Sequence, residues 1–198
     1  MAVDAEFNIS NFIDNYLSEG YNNSLALRFR VNDKFTLNYK TVYNFDPYNF
    51  GFAGYDGDEY LYGLRRLDTY INSFSAKYIF KNDMYVTVAA RHYWLTGKYR
   101  RYFYLQDDGS VSDTPGPGTA NDFSYNAFNI DFIYSWRFAP GSIMTIAYKN
   151  AIEYDGPFET YSYSKNLETT FDLPQLNSFS VKVVYYLDYA SLNKRQPK

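Results

Sequence analysis

The segment from Gln175 to Tyr189 (QLNSFSVKVVYYLDY) limits what this chain can fold into more than any other. Phe179, Val181, Val183, Tyr185, Leu187 and Tyr189 recur with period two, opposed by Ser178, Ser180, Lys182, Tyr186 and Asp188, with Val184 as the exception. Alternation of this kind puts the two sets on opposite faces of a β-strand. At about 3.3 Å per residue the apolar face is long enough to cross a bilayer core when tilted, for which about 9–11 residues suffice. The pattern predicts a transmembrane β-strand.

Composition agrees. The chain has 198 residues, enough for one domain, with 24 Tyr and 17 Phe, far more aromatic surface than one core of this size can use. Mean hydropathy is −0.47, and no window supplies the roughly 18 apolar residues of a spanning helix. A transmembrane barrel reconciles these numbers, because half of its strand residues face lipid and half a polar interior. A water-soluble barrel or sandwich also alternates; strand length and aromatic load favour the membrane. A net charge of −3 gives no electrostatic case for nucleic acid. The absence of cysteine excludes disulfides and thiolate metal sites. The start, Met1 to Asp4, has neither the basic nor the apolar region of a secretory signal, so we expect a mature chain or a piece of a longer one.

About eight strands are expected: Ala5–Asn15, Tyr21–Val31, Lys34–Phe45, Glu59–Phe80, Met84 to beyond Tyr99, Phe123–Phe138, Ser142–Tyr154 and Gln175–Tyr189. Tight turns join them at Val31–Lys34, Phe80–Met84 and Phe138–Ser142, alternating with long loops at Asp46–Asp58, Gln106–Asp122 and Asp155–Pro174. Short turns at one end and long loops at the other is the outer-membrane arrangement, with the short turns periplasmic. Both termini then fall on the periplasmic side. Residues 1–189 form the barrel and 190–198 a basic flexible tail.

Parity assigns the faces. The lumen should receive Arg28, Arg30, Lys40, Lys77, Arg91, Asp131, Arg137, Lys149, Lys182 and Asp188. Lipid should meet Leu37, Tyr39, Val88, Trp94, Ile130, Phe132, Trp136, Ile146, Val181, Val183, Tyr185 and Leu187. The lumenal charges read as a salt-bridge and hydrogen-bond network filling a narrow barrel in preference to a basic pore for anions.

Catalytic parts are scarce. The one histidine, His92, shares the lipid side with Trp94 and has no serine or carboxylate with which to build a triad. Asp56-Gly57-Asp58-Glu59 offers oxygen atoms but lacks EF-hand spacing. We expect no enzyme, no metal and no cofactor, a barrel-embedded hydrolase being the least favoured reading. Aromatic residues in the long loops, namely Phe50, Phe52, Tyr55, Tyr161 and Tyr163, are candidate contacts for a glycan or peptide, set against a plain lipid-interface belt.

Four strings are familiar together: LYGLRRLDTYINSFSAKYIF (Leu61–Phe80), RHYW (Arg91–Trp94), NAFNIDFIYSWRFAPGS (Asn126–Ser142) and NLETTFDLPQLNSFSVKVVYYLDY (Asn166–Tyr189). They resemble the C-terminal part of a Bacteroidota outer-membrane family of unknown function, over roughly residues 20–192. In that family this region follows an N-terminal domain resembling family-nine carbohydrate-binding domains. The resemblance implies an outer-membrane β-barrel and supplies no catalytic residue. It also implies that earlier strands and the N-terminal domain are missing here, so the strands either close alone or complete a larger barrel.

The expectation is therefore an all-β, antiparallel up-and-down barrel in a bacterial outer membrane, with a structural, anchoring, channel or accessory role. Its partners would be outer-membrane lipid and other outer-membrane or periplasmic subunits. The alternative is a glycan or peptide uptake component that uses the extracellular loops.

Overall fold

Alternating sequence becomes one continuous antiparallel sheet. The computed structural model describes residues 2–13, 19–117, 121–158 and 162–187. The strands are β1 (Ala2–Ile13), β2 (Glu19–Arg30), β3 (Phe35–Asp56), β4 (Glu59–Lys81), β5 (Met84–Leu105), β6 (Val111–Thr114), β7 (Phe123–Ala139), β8 (Ser142–Pro157) and β9 (Gln175–Val184). They pair in the order β1-β2-β3-β4-β5-β7-β8-β9, with β6 attached to β5. The three expected tight turns all form. At the first, Asn32 Oδ1 accepts from the backbone N–H groups of Lys34 and Phe35, both at 2.9 Å, the local bonding that favours Asn in turns.

The sheet is not closed by hydrogen bonds among the described residues, since β1 and β9 are both edges. Three expectations are corrected. Asp46–Asp58 is not a loop but the upper half of the β3–β4 hairpin. Its Asp-Pro and Gly54 are absorbed as irregularities. Register shifts at Asp46/Asn49 and Phe52/Gly54 enclose Pro47, which has no N–H to give a ladder, and Gly54 at φ 123°. Arg65 anchors both, donating to Asn49 Oδ1 at 2.9 Å and to the Phe52 carbonyl at 3.3 Å. Finally, Asp155–Pro174 contains a helix, α1 (Tyr163–Phe171). Ser162 caps it by accepting from the N–H of Lys165 at 3.3 Å, and Pro174 follows its end. A helix of nine residues is not stable alone; packing on the sheet holds it. β9 also ends at Val184, short of the expected Tyr189.

The sheet has no conventional core. Among the described residues the buried hydrophobic side chains are Leu61, Trp94, Tyr102, Phe128 and Ile152, while Phe7, Phe74, Trp136, Tyr148, Phe179, Val181 and Val183 are among those exposed. Isolated exposed hydrophobes are ordinary, but a contiguous apolar face of this size marks an interaction surface.

Candidate functional sites

Hydrogen-bonded rows show how sharply the two faces differ. On one face the row through Val88 reads Val3, Phe29, Leu37, Ala76, Val88, Phe132, Tyr148, Phe179. From the row of Met84 and Trp136 to that of Trp94 and Asn126, the paired strands place no ionisable acid or base on this face except His92 and, at the lower border beside Met84, Lys81. Charge returns just beyond, where Arg66 and Asp68 pair at 2.6 Å and Lys98 lies 4.0 Å over the Phe158 ring. The uncharged band spans about 33 Å along β5, or about 25 Å after a tilt of about 40°. Tyrosine and tryptophan gather at its ends: Tyr78, Tyr134 and Trp136 below, Tyr43, Tyr70, Trp94 and Tyr154 above. The two tyrosines nearer the middle have bonded hydroxyls, Tyr39 to Asn72 Oδ1 at 2.7 Å and Tyr148 to Asn177 Oδ1 at 2.6 Å.

Leu37, Tyr39, Val88, Ile130, Phe132, Trp136, Ile146, Val181 and Val183 all lie on this apolar face. Trp94 shares the face but is corrected in its surroundings: it is buried, donating to Ser124 Oγ at 3.1 Å. Tyr185 and Leu187 are exposed beyond β9, and Tyr185 stacks on Phe138 beside the β7–β8 turn.

The other face carries Arg28, Arg30, Lys40, Lys77, Arg91, Asp131, Arg137, Lys149 and Lys182. Asp188 and Tyr161 lie outside the described residues, as does the tail 190–198. This polar face lines a concavity of about 880 Å³ that reaches from β1 to β7. Arg28, Lys40 and Arg91 face it together with Asp4, Glu6 and Asp131, three cations against three carboxylates. Asp131 pairs with Lys149 at 3.1 Å. The sequence reading missed Asp4 and Glu6, although they alternate with Val3, Ala5 and Phe7. Their presence cancels the basic bias of the lining, as a mixed-charge network requires.

The expected loop aromatics divide. Phe50, Phe52 and Tyr55 stand on the upper β3–β4 hairpin. Phe50 stacks on Tyr62 at 5.7 Å, Phe52 meets Tyr55 edge-on at 5.3 Å, and Tyr55 lies 5.3 Å from Tyr60. The acidic tetrad forms the turn at its tip, with Gly57 at φ 64° and the Asp56 carboxylate accepting from the Tyr104 hydroxyl. Tyr163 instead begins α1 and packs down on the apolar face.

There it completes a second site. Asn72 Nδ2 donates to the Tyr163 hydroxyl at 2.9 Å, and that hydroxyl lies 2.8 Å from His92 Nδ1. Burial raises the Tyr163 pKa, so the hydroxyl stays protonated and donates a hydrogen bond to Nδ1. The ring proton then belongs on Nε2, on the side of the ring where the Asn126 side chain offers an acceptor. His92 is thus on the expected side of β5 but covered by α1. At the other end of the helix, Phe171 meets Phe128 edge-on at 4.8 Å. Beneath α1 is a cavity of about 200 Å³. Nothing in the linear pattern pointed to it, because its walls come from β7, β8 and α1.

A family model described as a domain of unknown function, DUF5916, matches residues 1–196. The chain belongs to the DUF5916 family. No curated protein and no solved structure matches it. The matched region takes in every element described above, so the two-faced sheet and the α1 cap belong to the DUF5916 domain itself.

Proposed function

We propose that this DUF5916 domain is a membrane-spanning β-barrel, or a section of one, in a bacterial outer membrane. In that setting it anchors, forms part of a channel or supports a neighbouring subunit, and has no enzymatic role. The observation that carries this reading is the segregation of charge: between Lys81 at its lower border and the Arg66–Asp68 pair above, one face holds no acid or base but the buried His92, while the concave face holds a cluster of ionised side chains. Arg or Lys at a lipid-facing midplane position costs about 2–4 kcal/mol, and this sequence avoids that cost on every paired strand.

The unpaired edges of β1 and β9 bear on the same reading. Lipid offers no hydrogen bonds to an open edge, so both edges need backbone partners. Counting along the pairing path, β9 runs antiparallel to β1, and the two can pair with each other or with further strands. The short turns and both ends of the sheet would face the periplasm. The test is partition: the chain should require detergent or lipid to stay monodisperse and should show heat-modifiable mobility on gels. A monodisperse folded protein in plain buffer sinks the proposal.

A further inference from the structure

Directly above the uncharged band, the apolar face of β4 and β5 gathers more cations than acids. Arg66 and Lys98 are register partners on adjacent strands, and like charges placed opposite one another are destabilising. Asp68 offsets Arg66, its two oxygens lying 2.6 and 2.9 Å from the guanidinium. Arg100 follows Lys98 by two residues along β5 and shares its face, while Tyr99 between them turns to the other side to meet Phe123. Lys98 and Arg100 are exposed, and neither forms an ion pair among the described residues. The next cation, Arg101, is already paired with Asp113 at 2.8 Å. Arg66, Lys98 and Arg100 therefore set three positive charges against the one carboxylate of Asp68, which leaves two uncompensated.

Aromatic rings hold these heads in place without neutralising them. Arg66 lies 4.8 Å over Phe45, Lys98 4.0 Å over Phe158 and Arg100 5.1 Å over Tyr48. Arg100 and Tyr48 each fall in a register shift, at Leu64/Arg65 and at Asp46/Asn49, and neither has a partner across the ladder. Irregularities of this kind re-aim side chains, and here two of them, on β3 and β5, bring a cation onto a ring across the intervening strand. Height matters as much as charge. Lys98 stands two residues beyond Thr96, which is level with Asp68. That is about 7 Å along the strand, or about 5 Å in height at a tilt of about 40°. The headgroup layer on each side of a bilayer is about 5–7 Å deep. We propose that Arg66, Lys98 and Arg100 hold the phosphate of an anionic lipid in the outer leaflet, an inference that rests on the membrane reading. A phosphomonoester carries close to two negative charges, which matches the two uncompensated cations, and both guanidinium and ammonium donate to phosphate oxygens. A zwitterionic headgroup brings its own cation to a patch that is already positive and is disfavoured there.

The experiment uses the whole chain in dodecylmaltoside micelles. Phosphatidic acid and phosphatidylcholine are titrated separately and bound lipid is counted by native mass spectrometry; inorganic phosphate is titrated in the same micelles by phosphorus NMR. The double variant Lys98→Gln, Arg100→Gln is compared with the parent and with Lys182→Gln, a charge-matched change on the polar face, each checked for unchanged heat-modifiable mobility. If the double variant does not fold, the two single variants are read instead. Phosphatidic acid should bind more tightly than phosphatidylcholine, and the double variant should lose about tenfold or more, since each basic residue at an anionic surface is worth about fivefold. Lys182→Gln should leave the preference intact. Equal binding of the two lipids, a preference that survives the double substitution, or an equal loss in Lys182→Gln overturns the proposal. So does inorganic phosphate binding with the same dependence on Lys98 and Arg100 but no preference between the lipids, which would mark a site for free anions. Failure of the membrane reading shows separately, as a chain folded and monodisperse without detergent.

Discussion

The Tyr163 hydroxyl lies 2.8 Å from His92 Nδ1, tying the first residue of α1 to the middle of β5. The same hydroxyl accepts from Asn72 on β4, so one phenol oxygen fastens a nine-residue helix to two strands. Tyr163→Phe keeps the ring and removes the oxygen, leaving Asn72 Nδ2 and His92 Nδ1 without it. The expected loss is about 1–3 kcal/mol, read from urea unfolding in lipid vesicles. An unchanged midpoint would mean that ring packing alone seats the helix.

Adjacent positions on β5 test the two faces. Val88 is on the apolar face, and Ala89 lines the concavity opposite Asp131. Val88→Arg should cost about 2–4 kcal/mol in a bilayer. Ala89→Arg should stay within about 0.5 kcal/mol. Equal penalties would contradict the assignment of faces.

The Asp131–Lys149 pair is 3.1 Å apart, with side chains 43% and 63% exposed. A solvated pair of this kind contributes about 0–1 kcal/mol, so Asp131→Asn should move stability by no more than that. A loss above about 3 kcal/mol would show a much drier concavity than the exposure implies.

Gly97 passes beneath the Phe123 ring so closely that an added Cβ would overlap it. Gly97→Ala should therefore destabilise by about 1–3 kcal/mol, and Phe123→Leu in the same chain should recover part of it. A double-mutant cycle reads the coupling; simple additivity would show that the ring moves aside freely.

What the sequence made legible followed from parity. A strand carries its two faces in alternate letters, so Val88 and Arg91 could be assigned to opposite sides from the chain alone. The tight turns were legible because Asn32 and its counterparts bond locally. The upper β3–β4 hairpin was misread because Pro47 and Gly54 look like loop residues until Arg65, far along the chain, is seen to bond the irregular backbone. Tyr163 and Asn166 were opaque for a related reason. They belong to a helix too short to announce itself; the Tyr163 partners Asn72 and His92 lie on two strands, and Asn126, which lines the cavity with Asn166, lies on a third. Closure was not legible either, since alternation sets which way side chains point and says nothing of which edges meet.

β3, β4 and β5 have 22, 23 and 22 residues, about twice what a tilted crossing needs. In a bilayer, the upper half of each would stand clear as a hydrogen-bonded palisade about 35 Å long, ribbed by Phe50, Phe52, Tyr62 and Phe103. Such a wall does not collapse over an opening as a slack segment does. In a bilayer it would give the approach to the concave face a fixed profile on one side, so the shape of an arriving molecule would matter as well as its charge.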